Sequence, residues 1–187
     1  GWSAADLKRI LSDSPWARSA TAHVRGYAKT SENFRPNDSW PSSESLRVTV
    51  RLESALPVQQ ALIKAGIEPA EGDAPDRTCI AVIQFPGPWT RYSAVAGDWR
   101  DARAWLDPAG ASPISASEVR LVKRNGGASA LVFVFPADGD LASSRMLRLP
   151  FFKRNLRTFD FRAEIGFLEI ERRFSTAAMT FHGRTEF

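Results

Sequence analysis

One cysteine stands in this chain, Cys79, and only two histidines, His23 and His182. A single thiol excludes an intrachain disulfide, so cysteine usage says nothing about redox compartment. A cysteine nucleophile needs an activating base, and two imidazoles are all the chain offers. Within Thr78-Cys79-Ile80-Ala81-Val82-Ile83 the thiol reads instead as a small core residue. The histidines lie far apart in sequence, each inside a predicted strand, and the ligand spacings of a zinc site are missing. The sequence therefore predicts no metal site and no cofactor.

Other absences narrow the field further. There is no Walker A loop, no paired-glycine dinucleotide fingerprint, no HExxH, no CxxC and no GxSxG. That removes the enzyme classes that announce themselves by motif, but a pair of carboxylates needs no sequence signature to be catalytic. No uninterrupted apolar run approaches the ~20 residues that cross a bilayer. The longest, Ala130 to Phe135, has the length of a strand. Nor is there the dense basic stripe of a nucleic-acid reader. The formal net charge is +4, and the excess is spread out except at Lys153-Arg154-Asn155-Leu156-Arg157. That cluster fits a phosphate or anionic surface, or simply a solvated loop.

What is present is alternation. Phe159, Phe161, Ala163 and Ile165 alternate with Asp160, Arg162 and Glu164; after Gly166 the parity resets, and Leu168, Ile170, Arg172 and Phe174 share a face. Successive strand side chains point to opposite faces, so this describes half-buried antiparallel strands. Leu46, Val48, Val50 and Leu52 alternate with Arg47, Thr49 and Arg51 in the same way. Thr21 to Lys29 is a further strand. The run Met179, Phe181, Gly183, Thr185, Phe187 predicts a last strand reaching the final residue, with His182 on its polar face beside Arg184 and Glu186. Cys79–Phe85 and Ala130–Phe135 are apolar on both parities and should lie centrally, covered on both faces.

Helices are few. Ser3-Ala4-Ala5-Asp6 is a capping signal for a helix over 4–12, closed by Ser14-Pro15 and packed down by Trp16. Pro57 suits the first turn of a second helix, with Val58, Ala61, Leu62 and Ala65 at helical spacing and Gly66 as its stop. Trp99, Ala102, Trp105 and Leu106 predict a third, ended before Pro108. Residues 31–44 form a polar loop containing Trp40, residues 67–77 an acidic one. The whole is an α+β chain dominated by antiparallel sheet, sandwich-like or curved, with eight to ten strands and two or three short helices. It reads as one domain over 1–187, with the helix at 4–12 packing on a β-rich body and antiparallel strands over 119–187.

Three groups of residues are candidates for chemistry. Glu53 stands at a strand-to-helix junction, where a rigid scaffold can aim a functional group; the competing reading is a charge favourable to the helix dipole. Trp89, Arg91 and Tyr92 follow Pro86-Gly87-Pro88, which forces the chain out of its strand. With Trp99 nearby they offer a stacking or peptide-binding surface, or else lids folded back on the sheet. Asp138-Gly139-Asp140 carries two potential oxygen ligands but lacks the rest of a calcium loop, and reads as a turn.

The segments Asp6-Leu7-Lys8-Arg9-Ile10-Leu11 with Ser14-Pro15-Trp16-Ala17, Val50 through Val58, and Phe174 through Met179 to Gly183 resemble an uncharacterised group of bacterial proteins with export signals. The resemblance implies an exported protein, periplasmic or extracellular, and carries over no catalytic residue. A chain opening Gly1-Trp2-Ser3 fits removal of a leader peptide and equally excision from a longer protein.

The sequence establishes no function. The reading it favours is a non-catalytic exported module that binds a protein, a peptide or an envelope component. The alternatives are a hydrolase-type enzyme using Glu53, and nucleic-acid binding through Lys153, Arg154 and Arg157, for which the charge pattern argues poorly.

Overall fold

A computed structural model describes residues 1–24, 45–70, 79–110, 112–124, 127–136 and 158–185. The chain runs α1 (Ala4–Ser12), β1 (Ala17–Val24), β2 (Ser45–Leu52), α2 (Leu56–Lys64), β3 (Cys79–Gln84), a four-residue α3 (Ser93–Ala96) and β4 (Arg103–Pro108). It continues through β5 (Ile114–Ser115), β6 (Glu118–Lys123), β7 (Ser129–Phe135), β8 (Thr158–Ile165), β9 (Leu168–Ser175), β10 (Thr180–Phe181) and β11 (Arg184–Thr185). Nine strands form one sheet in the order β5-β4-β8-β9-β1-β2-β3-β7-β6, and every described pairing in it is antiparallel. The expected α+β, mainly antiparallel class is what the chain adopts.

The sheet is curled into a half-barrel. β5 belongs to one edge and β6 to the other, yet only Ala116 and Ser117 separate them. The Ala116 N–H donates to Ala104 O at 2.9 Å, on β4, while the Ser117 N–H donates to Val134 O at 2.8 Å, on β7. One dipeptide can touch both ends of a nine-stranded sheet only if the twist of the strands brings those ends together.

The alternation explains the two faces. Phe159, Phe161, Ala163 and Ile165 of β8 and Leu168, Ile170 and Phe174 of β9 are buried on the inner face, with Phe133 and Phe135 of β7 and Val58 and Leu62 of α2 in the same cluster. Phe159 and Phe174, opposite one another in the ladder, stack at 5.3 Å. The β8–β9 turn has two residues, and Gly166 at φ +58° takes the corner that an L side chain resists. β3 and β7 are apolar on both parities because a second cluster, Ile80, Val82, Ala130, Val132 and Val134, is buried on the opposite face. They are interior strands as expected but not central: β7 lies second from the edge and β3 third, and β1 occupies the middle, flanked by β9 and β2.

α1 carries the expected box. The Asp6 N–H donates to Ser3 Oγ, and the Ser3 N–H donates to Asp6 Oδ2 at 3.0 Å. The latter bond holds the Asp6 carboxyl below the usual carboxylate range. Among the described residues no helix is long and apolar enough to cross a membrane.

Two predicted elements are corrected. The segment from Trp99 to Leu106 is not a helix: Trp99–Asp101 is a single 3-10 turn and Arg103–Pro108 is β4. Ala102, Ala104, Leu106 and Pro108 are buried in alternation with Arg103, Trp105 and Asp107, a period of two that the three-residue spacing of the tryptophans and Ala102 disguised. Pro108 closes the strand and pairs only with β8, so its missing N–H interrupts no ladder on the β5 side. The predicted strand from Met179 onward is also absent. Thr176–Ala178 is a 3-10 turn, and the chain then reverses between β10 and β11 at His182 (φ 49°) and Gly183 (φ 76°). Met179 is a core residue; Phe181 and Thr185 lie on opposite arms of the small hairpin.

Candidate functional site

Glu53 follows β2 directly, and its side chain is fully buried. Its backbone N–H donates to Ile80 O at 2.8 Å, which fixes the residue to β3. Oε1 accepts from Arg51 Nε at 3.1 Å and Nη2 at 2.9 Å; Oε2 accepts from Arg124 Nη2 at 2.8 Å and from the Ala70 N–H at 3.0 Å. Four donors leave neither carboxylate oxygen open toward a substrate, and three of those donors come from two guanidinium groups. Arg51 is itself buried, which lowers its pKa from the ordinary value while the Glu53 charge opposes that shift. It also donates to Leu11 O at the end of α1 and to Gln84 Oε1 on β3, both at 3.3 Å. Arg124 donates through Nη1 to Glu68 O. Glu53 is thus the hub of a dry charge network tying five parts of the chain together.

Trp89, Arg91 and Tyr92 do cluster at the end of β3. Tyr92 is buried, tilted against Phe85 at 5.2 Å, and burial raises its hydroxyl pKa. Trp89 is half-buried, set edge-on to Phe85 at 5.3 Å, and its backbone N–H donates to Ser129 Oγ at 2.6 Å. Arg91 is exposed and lies across Gly87, close enough that a Cβ there would meet its Cδ at 3.3 Å. The trio closes the end of the sheet as a lid, with one half-open ring and one exposed guanidinium.

A concavity that the sequence did not single out lies on the outer face of β4, β8, β9 and β1. It measures about 520 Å³ and is lined by Trp105, Asp107, Arg162, Glu164, Glu171 and His23, among others. A neighbouring hollow of about 600 Å³ shares His23 and Glu171 and adds Thr21, Arg47 and Arg172, so the two adjoin. Ladder register builds this face in rows. Trp105, Arg162 and Glu171 stand opposite one another across three strands, and Arg103, Glu164, Glu169 and His23 across four. Arg162 bridges the strands, with Nη2 2.7 Å from Asp107 Oδ2 and Nε 3.9 Å from Glu171 Oε1. Beyond it, Arg173 grips both oxygens of Asp160 at 2.8 Å and holds that carboxyl below the usual range. The groove therefore offers donors, acceptors and one half-buried indole on a rigid floor, a composition suited to holding a polar ligand against an aromatic plane.

His182 sits in the β10–β11 turn, its ring 4.1 Å from that of Phe181, and the structure does not draw it into the groove that His23 lines. Among the described residues no three His, Cys, Asp or Glu side chains group so as to hold a metal ion. Lys153, Arg154, Arg157, Trp40 and Asp138-Gly139-Asp140 lie outside the described residues. No family model, no curated protein and no solved structure matches this chain.

Proposed function

We propose that this protein is a non-catalytic, exported binding module, and that the outer-face groove over β4, β8, β9 and β1 is its binding surface for a peptide or another polar envelope component. The observation that carries this reading is the groove itself: two adjoining hollows of mixed polar and apolar lining on the sheet, with Trp105 on one wall and ion-paired side chains on the floor. Side chains already held by their neighbours lose little freedom when a ligand arrives, which favours binding on such a floor. Against catalysis stands the state of Glu53, whose oxygens are committed to four protein donors. Export rests on the resemblance of the capped helix, the β2–α2 junction and the Phe174–Gly183 segment to exported bacterial proteins.

The test is a capture screen with the full chain against a phage-displayed random peptide library and, separately, purified bacterial envelope fragments. The Trp105→Ala/Arg162→Ala double variant serves as the control. The expected result is a ligand retained by the wild type and lost by the double variant while that variant still unfolds cooperatively above the temperature of the screen. A ligand held equally by both, or turnover of the captured material, would remove the reading.

A further inference from the structure

We infer that the Arg51–Glu53–Arg124 cluster is a latch: one buried carboxylate holds the end of α1 and the 67–70 strap against the rim of the half-barrel, and its release lets both detach while the sheet stays folded. The two carboxylate oxygens divide the work. Oε1 is bound by Arg51, whose Nη1 reaches Leu11 O at the end of α1. Oε2 is bound by the Ala70 N–H directly and by Arg124, which in turn reaches Glu68 O. Each oxygen therefore secures one peripheral piece, and Glu53 anchors both through its own N–H on Ile80 O of β3.

Beyond the carboxylate, the two pieces rest on partly buried contacts, Leu11 and Ile67 on the main core cluster and Ala70 on the second. α1 contains no fully buried residue. In the strap Ile67 and Ala70 are half-buried and Glu68 is exposed, and the Ile67 N–H on Leu62 O makes a pivot at the end of α2. Segments with few buried contacts open at lower free energy than core strands. Neither guanidinium gives up its proton under accessible conditions. Once the carboxylate charge is gone, two buried cations face each other with no counter-charge between them. Moving the strap and the end of α1 outward relieves that repulsion by readmitting water, and it breaks no rung of the nine-stranded ladder.

The test is amide hydrogen exchange on the intact chain carrying Glu53→Gln, which keeps the shape and removes the charge. The expected result is exchange at Ala70 and at Asp13, whose N–H closes α1 on Arg9 O, that rises above the wild-type rate and outpaces the amides across β2, β7 and β9 by about tenfold or more, while those amides stay protected down to the lowered global stability. Arg124→Met should accelerate Ala70 alone and leave Asp13 protected, since Arg51 still holds Leu11. An unchanged Ala70 in Glu53→Gln means nothing is latched. Ala70 and Asp13 exchanging no faster than the sheet amides means that they open only with global unfolding. Either outcome overturns the proposal, as does an Arg124→Met variant that loses Asp13 and Ala70 together. Should Glu53→Gln not fold, the Arg124→Met comparison of strap against α1 decides alone.

Discussion

The rim of the half-barrel and its outer face use the same residue types under opposite conditions. At the rim, Glu53 is held dry between Arg51 and Arg124, with side-chain exposures of 0%, 7% and 9%. On the outer face, Arg162 spans Asp107 and Glu171 while remaining 52% exposed. Taking a charge out of water costs several kcal/mol, so the rim network persists only because every carboxylate lone pair is met, and losing one partner there is expensive. The outer-face pairs pay little desolvation and return little stability. A carboxylate that the fold depends on is thus a poor candidate for chemistry, whereas a solvated pair can exchange its partner for a ligand.

Arg124→Ala should break the comparison most visibly. It leaves Glu53 buried with one guanidinium, and a loss of about 3–5 kcal/mol is expected in urea unfolding; a loss below about 1 kcal/mol would mean the rim is wet. Trp89→Ala sharpens it with a residue of intermediate burial. As a half-open lid on Phe85 it should cost about 2–3 kcal/mol, somewhat under the range for a fully buried large aromatic. A melting temperature that does not move would return Trp89 to the list of binding residues. Arg162→Ala, on the outer face, should stay within about 1 kcal/mol of the wild type, while weakening capture of any groove ligand.

The smallest effect is a pH dependence on that same face. Asp160 has its pKa depressed by Arg173, so its contribution is present above the unfolded carboxylate value, about 3.9, and fades as pH falls through the lower folded value. In Arg173→Met the acid limb of the stability curve should become shallower. An identical limb in both proteins would show that the pair contributes nothing.

Much of the fold was legible because its signals are local. Ser3 and Asp6 are three residues apart and cap the same turn; Gly166 resets the parity of β8 and β9 within one hairpin. β4 carries a helical signal in sequence because two tryptophans and two apolar residues happen to fit a helical spacing, and only its pairing with β8 resolves the period as two. The site was less legible for a related reason. Arg51 and Glu53 share strand parity, a signal that was present and that points to their pairing. Arg124 lies 71 residues further on, and nothing local connects it to Glu53. The groove depends on strand order: Trp105, Arg162 and Glu171 become a row only once β4, β8 and β9 are set side by side.

The measurement that bears most directly on the account is urea unfolding of the wild type beside Glu53→Gln and Glu171→Gln. Both variants exchange one carboxylate for an amide of the same shape. The expected result is a loss of about 3 kcal/mol or more for Glu53→Gln and a change within about 0.5 kcal/mol for Glu171→Gln. Two small and equal changes would contradict it, because the rim carboxylate would then be no more structural than one on the solvated face.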